Sequence, residues 1–200
     1  RRGAGVRPRE GGAGPLGVDL GGPYLNRGYA GAQPVEHARS PDWLELERWL
    51  DAGPVRMMTI APELEGALDL IERGLGRGVT FAVGHSGATY EQVLAAADRG
   101  LRHATHVFNG MLGLHHREPG CAGAGLDDER ITAEAIVDGV HLHAAVVRLL
   151  LRAKGAERLI LVSDATRAAG LVDGDYDLGG QLVHVRGAIA RTPGGVLAGS

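Results

Sequence analysis

The chain has very little cysteine: Cys121 is the only one in 200 residues. No intrachain disulfide can form, and a reducing compartment, the cytoplasm, is expected. Long apolar runs are also missing. No stretch approaches the roughly 18 residues of a membrane span, and the start lacks the form of a signal peptide, so no membrane partner is expected. Neither charge sign dominates. The formal net charge is -3, which leaves no electrostatic footprint for nucleic acid. Arg1, Arg2, Arg7 and Arg9 do crowd the first ten residues. They sit among glycines without interleaved aromatics, the mark of a solvated segment rather than a binding arm. No Gly-x-Gly-x-x-Gly fingerprint stands at a strand–helix turn, and no repeat of fixed period is present.

What is there is an alternation of short apolar runs and amphipathic segments. Residues 1–15 are Gly/Arg/Pro-rich, lack periodicity and are expected to be poorly ordered. Strands are predicted at 15–20, 55–60, 79–84, 102–107, 131–137 and 158–163. Helices are predicted between them. The first is capped by Ser40 ahead of Pro41 and runs to about Leu50. The second covers 63–75. The third covers 89–99, with Thr89 and Gln92 spaced as a capping box. The fourth covers 143–154. Residues 108–125 read as a long Gly/His-rich loop. After Asp164 the helical signal stops, and 181–190 with the turn after it reads as an antiparallel hairpin. Six strands in βα alternation imply an α/β fold with a parallel sheet. An incomplete TIM (β/α)8 barrel over 16–170, followed at 171–200 by part of a small β domain, fits best. An open doubly wound sheet is the runner-up. A complete barrel takes about 250 residues. The chain starts without Met and stops at Ser200 with no closing element, so both ends are expected to be cuts through a longer protein.

Three apolar runs end in groups that carry chemistry. His85 follows Phe81-Ala-Val-Gly, His106 follows His103-Ala-Thr, and Asp164 follows Leu159-Ile-Leu-Val-Ser. Polar residues at the C-terminal ends of barrel strands face the mouth where such folds work. Neighbouring strands lie about 4.8 Å apart, so two imidazoles on consecutive strands can converge on one ion. A carboxylate beside a metal-bound water can take its proton and later protonate a leaving amine. The pattern suggests a metal-assisted hydrolase. His141, past another strand end, could serve as a ligand, an orienting group or an anion contact. Arg117, in the long loop, could hold a phosphate or pair with Glu118.

The motifs resemble a known family. Gly84-His-Ser-Gly-Ala-Thr89, Thr105-His-Val-Phe-Asn-Gly-Met111, Arg117-Glu-Pro-Gly120, Asp138-Gly-Val-His141, Ser163-Asp-Ala-Thr166 and Leu197-Ala-Gly-Ser200 follow the order and near-spacing of the N-acetylglucosamine-6-phosphate deacetylases of the amidohydrolase superfamily. The resemblance implies a TIM barrel with a small β-sandwich built from both chain ends, a divalent metal, zinc foremost, a phosphosugar substrate and a homodimer. It implies that His85 and His106 are metal ligands and that Asp164 is the general base and acid. Asn109 and Gly110 would contact the sugar, Arg117 and His141 the phosphate, and Leu197, Ala198 and Gly199 would form a substrate-lining turn. The reaction implied is hydrolysis of the acetamide to glucosamine 6-phosphate and acetate.

The sequence departs from the family at two points. The family's His-Leu-Glu-Gly-Pro motif, whose Glu is the third metal ligand, reads Asp19-Leu-Gly-Gly-Pro23, so Gly21 stands where that ligand would be. Residues two apart on a strand share a face, which makes Asp19 a candidate substitute. The family's Gly-Ala-His substrate contact reads Gly31-Ala32-Gln33. A phosphosugar-binding relative that has lost its metal, and a different amidohydrolase, are therefore the alternatives to a deacetylase.

Overall fold

The computed structural model describes Gly12 and residues 14–200. Most of the segment expected to be poorly ordered at 1–15 lies outside the described residues. Six strands form one parallel sheet in sequential order: β1 (Val18–Leu20), β2 (Val55–Ile60), β3 (Thr80–Val83), β4 (His103–Ala104), β5 (Thr132–Ile136) and β6 (Leu159–Val162). A doubly wound sheet reverses its strand order at a switch point. This one never reverses, and it curls into a half-barrel. A separate antiparallel sheet follows, built from β7 (Gly174–Leu178), β8 (Gln181–Arg186) and β9 (Ile189–Arg191).

The crossovers are helical: α1 (Trp43–Ala52), α2 (Ala67–Leu75), α3 (Tyr90–Asp98), α4 (Gly120–Asp127) and α5 (Ala144–Lys154). Their apolar faces and the outer face of the sheet enclose the main core, which includes Leu46, Met58, Ile71, Phe81, Val93, Ile131 and Leu150. A second small cluster, with Val183, Val185, Ala190 and Ala198, lies under the antiparallel sheet.

The expected elements are present, with four corrections. Asp42, not Ser40, caps α1, because its carboxylate accepts from the Leu44 and Glu45 amides. The second helix starts at Ala67 instead of Glu63, since Gly66 turns left-handed at φ 82 and Glu63 is bonded elsewhere. A helix, α4, replaces the end of the long Gly/His loop. Its Gly-Cys-Ala-Gly-Ala-Gly sequence has poor intrinsic helix propensity, but every one of those six residues is buried, and packing between neighbours decides the outcome. Lastly, the predicted hairpin gains β7, in which Asp175 and Asp177 alternate outward with Tyr176 between them. The capping box on α3 forms as expected, with Thr89 and Gln92 each bonded to the other's backbone.

Candidate functional site

A cleft of about 590 Å³ opens at the C-terminal ends of the parallel strands, between the half-barrel and the small sheet. Asp19, Gly21, Ala32, Gln33, His85, His106, Asn109, Gly110, His141, Asp164, Leu197, Ala198 and Gly199 all line it. Arg117 does not. It lies on an exposed loop, with its guanidinium 2.7 Å from the His116 imidazole.

His85 and His106 leave the ends of β3 and β4 and meet with their Nε2 atoms 3.1 Å apart. Their rings stand edge to face at an interplanar angle of 89°. The His85 Nδ1–H donates to the Tyr29 carbonyl at 3.0 Å. That bond fixes the tautomer and leaves the Nε2 lone pair toward the cleft. Burial, followed by the neighbouring His106, pushes the His85 imidazole down to about 4. Burial also lowers His106, against the pull of Glu134. The His106 Nδ1 is buried without a partner.

The backbone at these positions is unusual. Among the described residues only five non-glycines have positive φ, and His85 (49°), His106 (33°) and Asp164 (49°) are three of them. Such conformations are costly and gather where a side chain must be aimed. Gly110, at φ 54°, lets the β4 loop pass the first histidine, because a Cβ there would sit 3.0 Å from the His85 Nδ1.

Asp164 follows β6 and faces the cleft. The loss of water around its carboxyl raises it above the ordinary value; His85 and His141 oppose the shift and Glu134 adds to it. The end of the small sheet closes on this residue. The Ser200 amide donates to the Asp164 carbonyl at 3.1 Å, and the Thr166 amide donates to the Ser200 carbonyl at 3.1 Å. Gly199 makes the approach possible, since a Cβ there would fall 2.3 Å from the Asp164 carbonyl oxygen. Across the cleft, the His141 Nδ1–H donates to Asp138 at 2.7 Å, which orients the ring.

Two carboxylates were missed in the sequence. Glu134 on β5 accepts from the His103 Nε2–H at 2.9 Å and from the His106 backbone N–H at 3.1 Å. Burial works to raise Glu134, but His103 and the His106 amide outweigh it and hold the carboxyl below its ordinary value. Glu63, just past β2, binds Asn26, Ser86 and Gly87. The usable signal was a charged residue inside, or immediately after, an apolar run.

The donor set bears directly on a metal. Two imidazole nitrogens on a tetrahedral zinc lie about 3.3 Å apart, so the histidine pair has a suitable bite. The third ligand is missing. Among the described residues no group of three His, Cys, Asp or Glu could hold a metal ion. Asp19 lines the cleft, and its carboxyl is raised by burial and by Glu134, but it forms no such group with the histidines. A Cβ on Gly21 would meet only the Gln33 amide, at 3.8 Å. There is room for a carboxylate side chain, but none is present. The residues do not fit a three-ligand catalytic centre.

No family model matches the chain. An N-acetylgalactosamine-6-phosphate deacetylase of Escherichia coli is 44% identical over 191 residues, 94% of this chain and 50% of its own length. The chain is a homologue of the amino-sugar-6-phosphate deacetylases. An N-acetylglucosamine-6-phosphate deacetylase of Lysinibacillus sphaericus is 41% identical over 92% of this chain and 48% of that protein. A Mycobacterium smegmatis N-acetyl-D-glucosamine-6-phosphate deacetylase variant, solved in complex with N-acetyl-D-glucosamine-6-phosphate, superposes with a TM-score of 0.90 at 45% identity. That alignment covers 92% of this chain and 49% of the other. The chain thus spans about half the length of the deacetylases it matches. No helix among the described residues is long and apolar enough to cross a membrane.

Proposed function

We propose that this cleft belongs to a cytoplasmic enzyme that hydrolyses the acetamide of an N-acetylhexosamine 6-phosphate, N-acetylglucosamine 6-phosphate foremost, to the free amine and acetate. The observation that carries the reading is the convergence of His85, His106 and Asp164 on one cleft, all three from left-handed backbone. The matching N-acetylgalactosamine-6-phosphate deacetylase makes the 4-epimer the second substrate to test. The complete fold is read as a TIM barrel with a small β-sandwich.

Each residue then has a role. Asp164 takes a proton from the attacking water and returns it to the leaving amine; its raised carboxyl suits that exchange. Asn109 and Gly110 hold the sugar. His141, oriented by Asp138, faces the phosphate. Ala32, Gln33 and the Leu197–Gly199 turn shape the wall. Arg117 lies off its own cleft on an exposed loop, which supports a homodimer in which it reaches the neighbouring cleft. His85 and His106 are the two imidazole donors for a divalent metal, zinc by donor preference. Held there, such an ion would supply Lewis-acid polarisation of the acetamide carbonyl. Gly21 leaves the donor set of this chain short, the one observation behind a second reading: phosphosugar binding without turnover.

The test is bound zinc per chain together with acetate release from both epimers, on the chain as it stands and on Gly21→Glu. Some zinc with acetate release above background for the first, and near-stoichiometric zinc with faster release for the second, is the expected result; background release from the first beside measurable release from the second favours binding without turnover in this chain. Zinc bound by Gly21→Glu without acetate release overturns the hydrolase reading in favour of binding alone.

A further inference from the structure

We infer that Glu63 is a positioning residue that fixes the tautomer and the aim of His85 without touching the cleft. Its carboxylate gathers donors from two loops. Oε1 accepts the Asn26 Nδ2–H at 2.9 Å and the Gly87 N–H at 2.6 Å, while Oε2 accepts the Ser86 hydroxyl at 2.7 Å. Ser86 and Gly87 directly follow His85, so one side of the carboxylate holds the turn that carries the imidazole.

The other side holds the residue that presents the imidazole's partner. The Asn26 backbone N–H donates to the His85 carbonyl at 2.9 Å. Asn26 also starts the short 3-10 turn Arg27–Tyr29, its side chain accepting from the Gly28 amide at 2.8 Å and its carbonyl accepting from the Tyr29 amide at 2.9 Å. That turn aims the Tyr29 carbonyl at the His85 Nδ1–H. The bonds therefore form a closed ring through Glu63, Asn26, Tyr29, His85 and Ser86–Gly87.

The ring accounts for two features. It holds His85 in its left-handed conformation at φ 49°. It also commits the His85 proton to Nδ1, so at the 3.1 Å contact His106 donates from Nε2, and the His106 Nδ1 becomes the buried acceptor without a partner. A carboxylate that merely tied two loops together would not require a particular protonated nitrogen on a third residue.

The inference rests on His85 facing the cleft as a donor, and it is tested apart from catalysis. Two-bond proton–nitrogen correlation spectra of the metal-free chain at pH 7 report which nitrogen of His85 carries the proton. The chain as it stands should show the Nδ1–H form. Glu63→Ala should shift His85 to a tautomer mixture. Glu63→Gln should restore the Nδ1–H form, because its oxygen still accepts from Asn26 and Gly87 and its amide can donate to Ser86. Should Glu63→Ala fail to fold, Asn26→Asp, which keeps the acceptor for the Gly28 amide but removes the Nδ2–H donor to Glu63, decides in its place and should give the same mixture. A His85 that stays Nδ1–H in a folded Glu63→Ala or Asn26→Asp chain overturns the assignment.

Discussion

The two walls of the cleft are built to different standards. On the wall formed by β3, β4 and β5, His85 and His106 are buried, strained and held by neighbours: Glu63 beside the first, Glu134 beneath the second. On the wall formed by β1, Gly21 has no side chain and Asp19 has no hydrogen-bonded partner among the described side chains. A glycine in place of a ligand removes the donor but leaves the cradle intact. The elaborate wall therefore persists in a chain whose donor set is incomplete, because the bonds that place the histidines run through Glu63, Glu134 and the Asn26–Tyr29 turn and not through Gly21.

That difference can be broken from the built side first. His85 sits at about 4 in the fold against an ordinary histidine value of 6.5. The fold favours the neutral ring, so its contribution is fully present above pH 6.5 and is lost as pH falls toward 4. The shift corresponds to about 3 kcal/mol, order of magnitude. Asp19 and Asp164 act oppositely, since both carboxyls are raised and acidification relieves their ionised forms. The His85 part is therefore read as a difference. His106, also lowered by burial, acts in the same direction, so urea unfolding of the metal-free chain between pH 7 and pH 4 should show a larger loss of stability than in His85→Leu. Parallel curves for the two chains would show that the burial of this ring carries no such linkage.

The next largest effect lies beneath His106. Glu134→Ala leaves His103 buried without its carboxylate and the His106 amide without an acceptor. Loss of one partner from a buried pair, with donors stranded, costs about 2–3 kcal/mol. The change should appear as a lower urea midpoint at pH 7, with a smaller loss in Glu134→Gln, which keeps an acceptor oxygen.

Legibility in the sequence divides along similar lines. The ends of β3 and β4 could be read because an apolar run followed by a histidine marks both the strand and the direction of its last residue. The β3 residues Phe81, Ala82 and Val83 are fully buried, as their composition implies. The run at β6 looks the same, yet Leu161 is 70% exposed, because it lies at the edge of the half-barrel. Composition reports the burial a strand is suited to, not whether a neighbour is present. Helix α4 was hidden for the opposite reason: its glycines argue against a helix locally and are explained only by close packing. Arg117 carried a family motif and still lies off the cleft, since a loop position says little about direction. Glu63 and Glu134 were passed over because their work is done through backbone amides and a second side chain, and neither leaves a spacing pattern.

The smallest effect belongs to the bare wall. Asp19 opens onto the cleft, where partial loss of surrounding water and the nearby Glu134 raise its carboxyl, so its charge gains nothing from the site. Asp19→Asn should change stability by no more than about 0.5 kcal/mol at pH 7. It should also leave bound zinc unchanged, both in the chain as it stands and in Gly21→Glu, when measured by elemental analysis. A drop in zinc on this substitution would make Asp19 the third donor, reached by a shift of β1 toward the histidines. The two walls would then be unequal only until the ion arrives, and the glycine would be a relocation of the ligand rather than its loss.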